Sequence, residues 1–128
     1  MILLDTTLVF AQLRANDLRL LNLFQAHGAA ICGITRAEVL HGVRNPADQA
    51  RFLAMLNGLP RVAIPEPLWD EVGLNLAALR AAGLNLPLSD VVIASVAISL
   101  DLELWARDQH FPMIQSVLPA LRLFPEPP

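Results

Sequence analysis

Lysine is absent from this 128-residue chain, and cysteine occurs once. The missing lysine removes nucleotide-binding P-loops, whose Gly-Lys-Ser/Thr element needs an ammonium at the phosphates. The scattered Gly33, Gly42 and Gly73 build no substitute loop. The single thiol, Cys32, cannot form an internal disulfide, and its apolar neighbours predict a buried, inert side chain. Long apolar runs are missing as well. The longest, Val91 to Leu100, lies between Asp90 and Asp101 and is too short to span a bilayer. The N-terminus has no basic segment and reaches Asp5 at once, so no signal peptide is read there; a reducing cytoplasm is the expected setting, with no membrane partner. With neither an internal repeat nor a linker, one domain over 1–124 is expected, followed by a loose tail, Pro125-Glu126-Pro127-Pro128.

Positive charge is scarce. Nine cations, all of them arginine, face twelve acids, for a formal net charge of −3. No global basic footprint for nucleic acid exists, although local patches of arginine suit bidentate phosphate contacts. Apolar residues, by contrast, are abundant. A fraction of 55% exceeds the usual soluble range of about 45–50%, which suggests a face covered by a second subunit or a partner.

Short apolar runs alternate with helical patterns. Ile2 to Leu4, Ala29 to Ile34, Arg61 to Ile64 and Leu102 to Ala106 read as strands, with Leu121 to Phe124 as a fifth. Helices are expected over Thr7 to Leu13, Asp17 to Ala26, Thr35 to Val43, Ala47 to Leu56 and Leu68 to Ala82. A further helix, Asp90 to Leu100, is apolar nearly all round and should be buried. The alternation predicts an α/β fold, a three-layer α/β/α sandwich around a mostly parallel sheet of 4–5 strands. Such sheets bind ligands outside the carboxyl ends of their strands.

Four acids fall at or near that edge: Asp5, Glu38, Asp90 and Asp108. Each has an ordinary explanation. Asp5 can cap the helix near Thr7. Glu38 completes a capping box with Thr35. Asp90 suits a helix start. Asp108 can make a turn before Phe111-Pro112. Together they pose a charge problem. Like charges about 4 Å apart repel by about 4 kcal/mol at an effective dielectric near 20. Without lysine, Arg36 and Arg107 are the nearby organic counter-ions. A hard divalent cation, Mg²⁺ or Mn²⁺, is the simpler solution for all-oxygen ligands. His27, His41 and His110 show no zinc spacing and read as surface or capping residues.

Four strings occur in order: Leu3-Leu4-Asp5-Thr6, Thr35-Arg36-Ala37-Glu38-Val39-Leu40-His41-Gly42-Val43, Leu88-Ser89-Asp90-Val91-Val92-Ile93-Ala94 and Ala106-Arg107-Asp108-Gln109-His110-Phe111. Together they resemble the PIN-domain family, and within it the VapC-type toxin ribonucleases of prokaryotic toxin–antitoxin pairs. The resemblance spans Met1 to about Phe124. It implies an endoribonuclease that hydrolyses tRNA or other structured RNA with metal-activated water, leaving a 5′-phosphate and a 3′-hydroxyl. It places Asp5, Glu38, Asp90 and Asp108 on the family's acidic positions, as metal ligands and catalytic groups. Thr6 falls on the small hydroxyl residue after the first acid. Arg107 and Arg36 become candidates for holding substrate phosphates. A cognate antitoxin protein and a homodimer are the implied partners, with Leu18 to Phe24 and Phe52 to Leu56 as candidate docking faces. The chain departs from the pattern at Ala106, where many relatives carry Thr or Ser.

Two other readings compete. One is a non-catalytic PIN-like module that binds RNA or protein without cutting. The other is a lysine-dependent magnesium phosphotransfer fold, such as a haloacid-dehalogenase-type phosphatase or a response-regulator receiver. Both of these need a lysine, and the former also needs a second acid at position 7, where Thr7 stands.

Overall fold

The computed structural model describes residues 1–128. Five strands form one parallel sheet: β1 (Ile2–Leu4), β2 (Ala29–Cys32), β3 (Arg61–Val62), β4 (Glu103–Trp105) and β5 (Arg122–Leu123), in the order β3-β2-β1-β4-β5. Ile2 pairs with Ala29 and Glu103, Leu3 with Leu104, and Leu104 with Leu123. The chain builds outward from β1 on one side through β2 and β3, then returns to the other side with β4 and β5. The strand order therefore reverses beside β1, between β1 and β4. That is where open parallel sheets leave a crevice at the strands' carboxyl ends.

Seven helices cover the sheet: α1 (Thr6–Ala15), α2 (Leu18–Ala26), α3 (Gly33–His41), α4 (Pro46–Leu56), α5 (Leu68–Ala81), α6 (Leu88–Ser99) and α7 (His110–Val117). Alternate side chains of each strand enter opposite layers, as a two-residue period requires. Leu4, Ile31 and Trp105 pack with Leu8, Phe24, Val39 and Phe52 from α1 to α4. Leu3, Cys32 and Leu104 pack with Val72, Ile93 and Phe111 from α5 to α7. This is the expected three-layer α/β/α sandwich. Val91 to Ala97 of α6 are all buried, in keeping with its uniformly apolar sequence. Burial also pushes the Cys32 thiol up, which disfavours the reactive thiolate. No helix is long and apolar enough to cross a membrane.

Three boundaries differ from the sequence reading in ways that matter for the site. β2 stops at Cys32 and α3 begins at Gly33, so Thr35 lies inside the helix, buried near the Cys32 sulfur, and makes no capping box with Glu38. α6 begins at Leu88, behind Pro87, which puts Asp90 in its first turn. α7 has no counterpart in the sequence reading, which has only a turn at Asp108 before Phe111-Pro112. Pro112 sits in the helix's first turn, where a missing N–H costs nothing. The tail, expected to be loose, is tied to the body. Glu126 accepts hydrogen bonds from the Trp105 indole N–H and from Arg107, and the Pro128 carbonyl accepts one from Arg19.

Candidate active site

Asp5 leaves β1 and caps α1. Its backbone is extended (φ −80°, ψ 163°), and its carboxylate accepts the Leu8 N–H at 3.0 Å. Its own N–H donates to the Trp105 carbonyl at 3.1 Å, which continues the β1–β4 pairing by one step. The capping reading thus holds for this residue. The side chain is nearly inaccessible, with 1% of the residue exposed. Burial pushes its carboxyl up to about 6; backbone N–H groups of Leu8 and Arg107 pull it down, and the charges of Asp108 and Asp90 push it up again.

Asp90 comes from the other layer, in the first turn of α6, where the helix dipole favours a carboxylate. Its carboxyl is also raised, first by burial and then by the charges of Asp108 and Glu38, against a lowering hydrogen bond from His110. Asp108 lies in the turn after β4 and accepts the His110 backbone N–H at 2.9 Å, which starts α7. Glu38 projects from within α3, and its Oε1 accepts the Thr6 hydroxyl at 2.6 Å. Thr6 is therefore an anchor for Glu38 in this structure.

The four acids come from four separate segments, yet their charges act on one another. Asp5 feels Asp108 and Asp90, and Asp90 feels Asp108 and Glu38. No arginine forms an ion pair with them, although the Arg107 guanidinium feels the charge of Asp5. Arg36 is buried in α3 and donates to Asn57 at 2.8 Å, while its second terminal nitrogen has no partner. Arg107 points away into a two-pronged pair with Glu126, at 2.9 and 3.0 Å.

The sequence reading missed His110. Its Nδ1 lies 2.7 Å from Asp90 Oδ2 and 3.4 Å from Asp108 Oδ1. Donor atoms of Asp90, Asp108 and His110 all fall within 4.8 Å of one another. The hydrogen bond to Asp90 raises the imidazole's pKa, as do the charges of Asp108 and Asp90. The available signal was local: His110 is two residues past Asp108, at the start of a helix the proline concealed. The donor chemistry fits a hard divalent cation. Carboxylate oxygens of Asp90 and Asp108 converge with one imidazole, and burial together with like charge pushes the carboxyls of Asp5 and Asp90 up.

Comparison with known proteins gives a consistent picture. The chain resembles the toxin–antitoxin complex VapBC2 from Rickettsia felis, solved bound to a DNA fragment from its promoter. The TM-score is 0.83 at 22% identity, over 97% of this chain and 98% of that one. DNA-bound VapBC from Salmonella typhimurium matches at 0.78 and 20% identity, over 96% of each chain. VapBC-1 from nontypeable Haemophilus influenzae matches at 0.72 and 19%, over 97% of each. At these identities the likeness establishes the fold. Among curated proteins none matches the sequence. The family model of the PIN domain matches residues 2–115, nearly the whole sheet and all four acids. The chain therefore belongs to the PIN-domain family.

Proposed function

We propose that the protein is a metal-dependent endoribonuclease, the toxin of a VapC-type toxin–antitoxin pair. The observation that carries this reading is that Asp5, Asp90, Asp108 and Glu38 lie close enough near the sheet's switch point for their charges to act on one another, with no arginine in an ion pair with them. Asp5, Asp90 and Asp108 would hold a Mg²⁺ or Mn²⁺ ion, with Glu38 and His110 at its margin. Such an ion supplies charge against the phosphodiester and makes a nearby water more acidic.

The chain's own groups do the rest. The Leu8 N–H fixes one oxygen of Asp5, and the covered position keeps bulk water from competing for it. His110 Nδ1 donates to Asp90 Oδ2 and holds that carboxylate in one rotamer. Thr6 occupies Oε1 of Glu38, which leaves Oε2 to take the proton of the attacking water. In-line attack on phosphorus then breaks its bond to the 3′ oxygen, which takes a proton from solvent and departs as a 3′-hydroxyl, leaving a 5′-phosphate. A cognate antitoxin and a second copy of the chain are the proposed partners, and the cytoplasm the proposed setting. The exposed Leu18 and Leu53 support the two apolar faces as places for a partner to dock.

The test is cleavage of a mixed pool of tRNA and structured RNA with Mg²⁺ or Mn²⁺. Asp5→Asn and Asp90→Asn should each lower the rate by about 100-fold or more. Cutting that survives both substitutions would sink the assignment, and a wild type that binds RNA without metal-dependent cutting would favour a non-catalytic module.

A further inference from the structure

Two cavities lie along α1, and one of them reaches Thr6, the partner of Glu38. One, of about 420 Å³, is lined by Thr6, Phe10, Arg14 and Gly42. The other, of about 570 Å³, shares Phe10, Arg14 and Gly42 with it and continues to Arg44, Arg51 and Phe52. Thr6, at the near end, is the residue that donates to Glu38. The two therefore form one trough leading away from the acidic cluster. Its lining carries three arginines against the single carboxylate of Asp48, which lies 3.6 Å from the Arg51 guanidinium and leaves Arg14 and Arg44 with no acidic partner, in a chain whose net charge is −3. The arginines nearest the acids in sequence are otherwise engaged, Arg107 by Glu126 and Arg36 by Asn57.

The trough is also preorganised. The Arg14 guanidinium lies over the Phe10 ring at 4.2 Å, and that of Arg51 over the Phe52 ring at 4.7 Å. The two rings meet edge to face at 6.1 Å. A guanidinium laid on an aromatic ring has fewer rotamers left to lose, keeps one plane free for a base and directs its N–H edges to phosphate oxygens. Gly42 makes room for this. A Cβ there would come within 2.7 Å of the Phe10 ring and push it out of place.

We infer that this trough seats unpaired nucleotides of the RNA beside the cleaved phosphodiester, with the faces of Arg14 and Arg51 under bases and the N–H edges of all three arginines on phosphates. The choice of RNA rests on the ribonuclease reading; the trough's geometry does not. An acidic peptide would satisfy the charges but would leave the flat guanidinium faces uncovered.

The experiment measures binding, so that it stands apart from cutting. A labelled single-stranded RNA pool is titrated by fluorescence anisotropy, in EDTA, at several salt concentrations. The variants are the triple Arg14→Ala/Arg44→Ala/Arg51→Ala, the corresponding triple Arg→Lys, and Arg80→Ala on α5 as a control, each checked for an unchanged melting curve. The alanine triple should weaken binding by about tenfold or more and flatten the salt dependence by about 2 in log–log slope. The lysine triple should recover the slope but not the full affinity, and Arg80→Ala should change neither. Unchanged affinity and slope in the alanine triple would overturn the inference. So would the loss of binding to an acidic peptide with RNA binding intact. If the triple loses RNA while the wild type never cuts it, the trough stands and the ribonuclease reading falls.

Discussion

Asp5 shows most clearly what the site asks of single residues. It is buried, holds an α-helix cap, and has a carboxyl pushed up to about 6 from 3.8. A raised folded-state value means that the charged form is disfavoured by folding. Its favourable contribution is present below pH 3.8 and is lost as the pH rises through 6. Metal-free protein should therefore lose up to about 3 kcal/mol of stability between pH 4 and pH 6.5. Asp5→Asn keeps an acceptor for the Leu8 N–H and should abolish that loss, so that in EDTA at pH 7 the variant is the more stable protein. Urea denaturation across the pH range checks this, and a wild-type curve that stays flat or rises would be inconsistent with a buried, repelled carboxylate. His110 acts through Asp90 by holding its Oδ2. His110→Ala should weaken Mn²⁺ binding by about 10-fold, the scale of a lost supporting hydrogen bond, with the fold intact by circular dichroism.

At the scale of elements, most of the fold was readable because strands and helices here follow simple apolar patterns. The strands, the buried α6 and a mostly parallel sheet of 4–5 strands are expected from alternation alone, and the sheet has five strands, all parallel. What escaped were places where one residue has two uses. Thr35-x-x-Glu38 has the letters of a capping box, but Cys32 and Gly33 turn the chain earlier, and Glu38 is released to meet Thr6. Phe111-Pro112 looks like a stop, but it is the opening of α7, and this concealed His110 as a partner of Asp90. The tail is a third case, since a proline-rich end gives no pattern from which docking could be read. Its hold can be tested. Glu126→Ala leaves the indole N–H of fully buried Trp105 unpaired and should cost about 1–2 kcal/mol. Arg107→Ala removes only the half-exposed ion pair and should cost less than about 1 kcal/mol. Equal losses in chemical denaturation would show that the ion pair, not the indole, holds the tail.

For the whole molecule, the parallel sheet does two things at once. Its order reversal brings the ends of β1 and β4 together, and with them Asp5 and Asp108, which are about a hundred residues apart in sequence. The helices then add Glu38 from one layer and Asp90 with His110 from the other, so neither layer alone completes the acidic cluster. With no lysine in the chain, His110 is the basic side chain paired with that cluster, and in the proposed reading the substrate phosphates fall to arginines outside it. The measurement that tests this most directly is the rate of RNA cleavage by the purified wild-type chain against Mn²⁺ concentration. The account predicts no cutting in EDTA, a rate that rises and saturates with Mn²⁺, and recovery when Mn²⁺ is restored after chelation. Cutting at full rate in EDTA, or none at any Mn²⁺ concentration, would contradict it.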